Sequence, residues 1–155
     1  YLDINSFVDY WFAVELTSNS EPGHPKSVYM YKNKGGKLCA GPMWDYDWDT
    51  FVPTKVNWFQ LNRHLYYPQL FNDAEFVSAV KKRWPAAKLK FEKVAEFIDS
   101  EAEIIINSDK MNSAMWPISQ RVNGDETMSF EEAVARLKKA YLDKLQWLDH
   151  QINNM

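Results

Sequence analysis

The stretch Gly41-Pro42-Met43-Trp44-Asp45-Tyr46-Asp47-Trp48-Asp49 alternates three carboxylates with three large aromatic rings. In an extended backbone, successive side chains point to opposite faces. The pattern therefore predicts Asp45, Asp47 and Asp49 on one face, with Trp44, Tyr46 and Trp48 on the other. Three like charges on one face repel, and burial raises that cost. A bound cation relieves the repulsion, and so does solvent. Carboxylate oxygens without neighbouring Cys or His suit a hard ion, Mg²⁺ or Ca²⁺, rather than zinc. The competing reading is a solvated strand end whose aromatic back packs on the core.

Working outward toward the N-terminus, Ser27 to Lys32 reads as a strand and Lys37 to Met43 as its returning partner. Asn33-Lys34-Gly35-Gly36 between them is a turn in which Gly supplies positive φ. The hairpin thus feeds directly into the Asp run. Ser18 to Pro25 has loop composition. Before it, Asp3 or Asn5 can cap a helix running to about Leu16, whose wide apolar face implies deep burial. Asp9 and Glu15 interrupt that face. A buried Glu15 would need a partner, whereas at a helix end it reads as a solvated carboxylate.

Toward the C-terminus, Thr50 to Gln60 has no clear period, and Pro68 ends any helix over the ambiguous Asn62 to Leu70. Asp73 can cap a helix over Ala74 to Arg83 that stops before Pro85. A second helix is expected over about Ala86 to Ile106, with apolar positions at helical steps. Asn107 to Thr127 reads as connection, with Asn123-Gly124-Asp125 as a turn and Trp116 as an anchor. Ser129-Phe130-Glu131-Glu132 is a capping box that opens a last helix to about Ile152. The predicted fold class is α+β, a mostly helical unit with one hairpin, and residues 1–155 form a single domain.

The composition removes several classes. A net charge of −3 without a long basic block argues against nucleic acid. No 18-residue apolar run is present, so no membrane span is expected. The single Cys39 excludes an internal disulfide and reads as a buried small hydrophobe. His24, His64 and His150 show neither zinc spacing nor a nucleophilic triad. The many aromatic residues fit a ring-lined cleft or a partner surface. Exposed rings among Trp58, Phe59, Tyr66, Tyr67 and Trp116 would supply one, and rings in the core would not.

Several segments in order carry a family resemblance. Phe7-Val8-Asp9-Tyr10, Glu15-Leu16-Thr17-Ser18-Asn19, Ser27-Val28-Tyr29-Met30-Tyr31-Lys32, Gly36-Lys37-Leu38 and Gly41-Pro42-Met43-Trp44-Asp45-Tyr46-Asp47 together resemble the spore-coat protein H (CotH) kinase family. The match spans about residues 3 to 50, and the helical remainder fits more loosely.

This resemblance implies the C-terminal lobe of an atypical, secreted or cell-surface protein kinase. Such an enzyme transfers the γ-phosphoryl group of Mg-ATP to Ser or Thr hydroxyls. Asp45 and Asp47 match the family's metal-binding carboxylates. The family's catalytic Asp falls where this chain has Glu21, in a loop one residue longer. Glu21 is then the candidate base, and its extra methylene displaces the carboxylate. Asn19, His24, Lys26 and Asp49 are candidate lining residues. Without the resemblance, Glu21 is a loop carboxylate and His24 a surface histidine.

The chain has no Gly-rich phosphate loop, so the nucleotide-holding lobe is expected upstream and ATP transfer is not expected from this chain alone. The alternative function is a non-catalytic surface module on the same scaffold, binding a partner protein or a glycan.

Overall fold

The computed structural model describes residues 1–117 and 128–155. The order of elements is α1 (Ile4–Leu16), β1 (Met30–Lys32), β2 (Leu38–Ala40), α2 (Tyr67–Phe71), α3 (Ala74–Phe91), α4 (Val94–Met115) and α5 (Phe130–Asn153). Single 3₁₀ turns lie at Glu21–Gly23 and Pro53–Lys55. The fold is α+β and mostly helical, with one antiparallel hairpin.

Helix α1 is the centre. Asp3 caps it by accepting from the Ser6 amide at 3.0 Å, which meets one of the free N–H groups of the first turn. Phe7, Val8, Tyr10, Trp11, Phe12, Val14 and Leu16 are all buried, so the helix is apolar nearly all round, as a core helix must be. It packs against α3, α5 and β2. Phe76, Val80 and Trp84 come from α3, and Tyr141, Leu145, Leu148 and Ile152 from α5. The polar edges of buried rings find partners. Trp11 Nε1 donates to Asn62 at 2.6 Å, Trp84 Nε1 to Asp149 at 2.7 Å, and the Tyr67 hydroxyl to the Phe7 carbonyl at 2.9 Å.

The hairpin has the predicted turn, with Gly35 at φ 74°, but shorter strands than the sequence predicts. Its register pairs Met30 with Ala40, Tyr31 with Cys39 and Lys32 with Leu38. On its outer edge, Leu38 donates to the Tyr1 carbonyl and accepts from Asp3. Cys39 is half-buried, contrary to expectation. It shares a sheet face with exposed Tyr31, and a two-stranded sheet has little to cover that face.

Proline placement corrects three boundaries. Pro68 opens α2 rather than ending a helix, since its missing N–H is no loss in a first turn. Pro85 lies inside α3, which continues to Phe91. An interior proline costs about 3 kcal/mol. Trp84 and Phe91, on either side of it, both make ring contacts with Phe12 that hold the helix on course. The predicted break falls instead at Glu92 and Lys93, and α4 then runs on to Met115 through residues expected to be connection. Trp116 is exposed rather than an anchor among the described residues. The predicted turn at 123–125 lies outside the described residues. The Ser129 capping box is present, with both reciprocal hydrogen bonds.

Candidate functional site

The site is built on the C-terminal end of α1 and the loops that face it. After Leu16 the chain reverses through Ser18, a buried residue at φ 53°. Asn19 follows, also buried, and its Oδ1 accepts from the Glu21 amide at 2.8 Å. That bond fixes the start of the 3₁₀ turn carrying Glu21, whose side chain is half-buried. His24 and Lys26 are exposed on the next bend.

The Asp run is not a strand. Asp45 and Asp49 adopt left-handed φ values of 66° and 56°, which Asp tolerates better than most residues. Strict alternation is therefore lost, and the three carboxylates meet different neighbours. Asp45 is exposed and accepts from the Ser27 hydroxyl at 2.9 Å. Asp47 is exposed and lines a cleft of about 510 Å³ with Asp49, Phe51, Asp109, Ser129 and Arg136. Asp49 forms an ion pair with Lys55.

The aromatic face also divides. Trp44 and Trp48 are exposed, and only Tyr46 packs against the core. There Tyr46 lies beside Tyr10, and burial raises its hydroxyl above the usual range. Among the described residues, neither the Tyr46 nor the Tyr66 hydroxyl has a well-formed hydrogen bond.

Lys55 joins the two loops. Its ammonium donates to Ser20, next to Glu21, at 2.7 Å and also pairs with Asp49. A backbone bond of 2.7 Å from Phe51 N–H to the Thr17 carbonyl ties the same loops again. That bond helps hold Phe51 at φ 52°, an outlying conformation for a bulky residue.

Beneath the loops lies a buried ion pair. Glu15, expected as a solvated carboxylate, is fully buried and accepts from the Gln60 and Leu61 amides at 2.8–3.0 Å. Lys144 of α5, equally buried, reaches Glu15 at 3.2 Å and the Trp58 carbonyl at 2.5 Å. Its ammonium also lies 4.5 Å from the Trp147 ring. Burial raises the Glu15 carboxyl and is opposed by Lys144 and the two amides. Burial likewise lowers the Lys144 ammonium and is opposed by Glu15. The pair locks the end of α1, the Gln60 loop and α5 into one support for the Glu21 turn.

Lys55, Gln60 and Lys144 were missed by sequence reasoning. Only Lys144 left a local signal, since it lies three residues after Tyr141 and four before Leu148, on the apolar stripe of α5.

The described residues contain no cluster of three or more His, Cys, Asp or Glu able to hold a metal. Mg²⁺ bound with a nucleotide needs only one or two protein carboxylates, the phosphates and water completing its shell. The exposed oxygens of Asp45 and Asp47 fit that role, whereas Asp49 is already neutralised by Lys55. Of the rings expected to form a surface, Trp58 and Trp116 are exposed, Phe59 and Tyr66 pack against the core, and Tyr67 is buried.

The model of one protein family, described as CotH kinase protein, matches residues 1–148. No curated protein and no solved structure matches the chain.

Proposed function

The chain belongs to the CotH kinase family, and from that premise we propose that it carries the metal-binding and proton-accepting carboxylates of a Mg-ATP-dependent transfer to Ser or Thr hydroxyls. The observation that supports this most is the Lys55 bridge, which ties the loop of Glu21 to the loop of the Asp run through Ser20 and Asp49. Phosphoryl transfer is mostly positioning and charge neutralisation, and a base must stand near the metal-bound phosphates.

In this reading Asp45 and Asp47 would hold Mg²⁺, which would supply neutralisation of phosphate charge when bound. Glu21 takes the proton as the hydroxyl oxygen attacks the γ-phosphorus and ADP leaves. Asn19 sets the Glu21 backbone. His24, Lys26 and Asp49 flank the site, Asp49 through Lys55. A secreted or cell-surface location and a protein substrate belong to the same proposal, supported by the family alone. No described helix is long and apolar enough to cross a membrane.

The test is calorimetric titration of the full-length protein with ATP, with and without Mg²⁺, beside its Asp45→Asn variant. Mg²⁺-dependent binding that is lost in the variant is expected. Absence of binding to either protein would overturn the catalytic reading.

A second reading then stands, a surface module on the same scaffold for a partner protein or a glycan. It is favoured by the exposed Tyr29, Tyr31, Trp44 and Trp48 on the hairpin and the Asp run. Stacked rings beside carboxylates bind sugars and anchor protein interfaces.

A further inference from the structure

Asp45 is held by a side chain from the other arm of the hairpin. The Ser27 hydroxyl donates to its Oδ2 at 2.9 Å. The fold brings the two together. The ladder that pairs Met30 with Ala40 continues outward in a bond of 3.0 Å from the Gly41 amide to the Tyr29 carbonyl. The chain before β1 therefore runs alongside the chain after β2. Val28 anchors that first segment by packing against the core, and Ser27 beside it is half-buried. Asp45 meets it from a left-handed backbone at φ 66°.

A bond at the surface adds little to stability, because water serves both groups in the unfolded chain. What it adds is orientation. The bond engages Oδ2, and among the described residues no donor reaches Oδ1. A carboxylate held in this way offers a cation one oxygen rather than two. Ca²⁺ takes about 6–8 oxygens in flexible geometry and readily uses both oxygens of one carboxylate. Mg²⁺ is smaller and demands near-ideal octahedral geometry, which the narrow bite of a two-oxygen carboxylate distorts.

We infer that Ser27 is a positioning residue for Asp45 and that, by keeping one carboxylate oxygen for itself, it sets a preference for Mg²⁺ over Ca²⁺. This rests on the reading of Asp45 as a metal-binding carboxylate. Groups that hydrogen-bond a metal ligand from behind are worth about 10–100-fold in metal affinity, far more than the same bond contributes to folding.

The test is calorimetric titration of the full-length protein with a non-hydrolysable ATP analogue, in saturating Mg²⁺ and again in saturating Ca²⁺. The wild type should bind the analogue more tightly with Mg²⁺. Ser27→Ala should lose about tenfold in affinity with Mg²⁺ and at most about twofold with Ca²⁺, with the urea midpoint in place. Ser27→Thr keeps the hydroxyl and should keep the preference. An unchanged preference in Ser27→Ala, equal losses with both metals, or loss of the preference in Ser27→Thr would overturn the inference. So would a wild type that does not distinguish the metals. If Mg²⁺-dependent binding is lost in Asp45→Asn while the preference survives in Ser27→Ala, the role of Ser27 alone fails. If neither metal supports binding to the wild type, the metal-binding reading of Asp45 fails and the role of Ser27 with it.

Discussion

Glu15 and Asp47 are both carboxylates within the residues matched by the family model, and their surroundings are opposite. Glu15 has no exposed surface and receives both backbone amides and a buried ammonium. Asp47 is exposed, and no described residue donates to it. A buried charge must be satisfied by the protein, at a desolvation cost that only good geometry offsets. A surface carboxylate can be left to solvent or to a ligand at little cost to stability. The contrast separates the support from the edge proposed to bind metal. The support is built from charged groups that buried partners satisfy, and the edge from carboxylates at the surface.

The contrast is broken most directly at Lys144. Lys144→Met leaves Glu15 buried without its counter-ion and should cost about 3–5 kcal/mol, read as a shift in the urea midpoint. Removing both partners with Glu15→Leu should cost less than removing Lys144 alone. A loss below about 1 kcal/mol, the range of surface pairs, would mean that the pair is no different from an exposed one.

Asp45→Asn should act the other way. It should lower Mg²⁺-dependent transfer in the full-length protein by about 10²–10³-fold, as loss of a transition-state charge clamp does, without moving the urea midpoint. Lys55→Met sits between the two regions. It should reduce kcat by about tenfold through misplacement of the Glu21 turn, with the KM for ATP nearly unchanged.

The smallest effect is expected at Asp149, a half-buried carboxylate away from both regions. Burial alone would raise its pKa, but hydrogen bonds from Lys88 and Trp84 outweigh burial and hold it below the usual range. A depressed folded pKa adds stability above the unfolded value and loses it as pH falls through the folded one. Acidification below about pH 4 should therefore cost the wild type about 1 kcal/mol that Asp149→Asn no longer has to lose. Denaturation midpoints between pH 5 and pH 2 would show it.

Much of the fold could be read locally. The Asp3, Asp73 and Ser129 caps are each completed by an amide two or three residues away. The hairpin rests on a turn whose glycine requirement is written in four consecutive residues. Such signals act within one helical turn or one strand pair, where the sequence contains both partners. The passage of α3 through Pro85 could not be read this way. A local rule weighs the lost bond and the clash, while the rings that hold the helix straight come from Phe12 on another element.

The site divides along the same line. The sequence by itself determined the family's ordered segments, the Asn19–Glu21 loop and the identity of the carboxylates at 45, 47 and 49. Tertiary structure alone decided what each carboxylate meets. Left-handed backbone at Asp45 and Asp49 cancels the alternation that an extended chain would have given. Lys55 takes Asp49 out of the free acidic set, and Lys144 reaches Glu15 across 129 residues. Electrostatic partnership depends on distance and burial, and neither is a property of position along the chain.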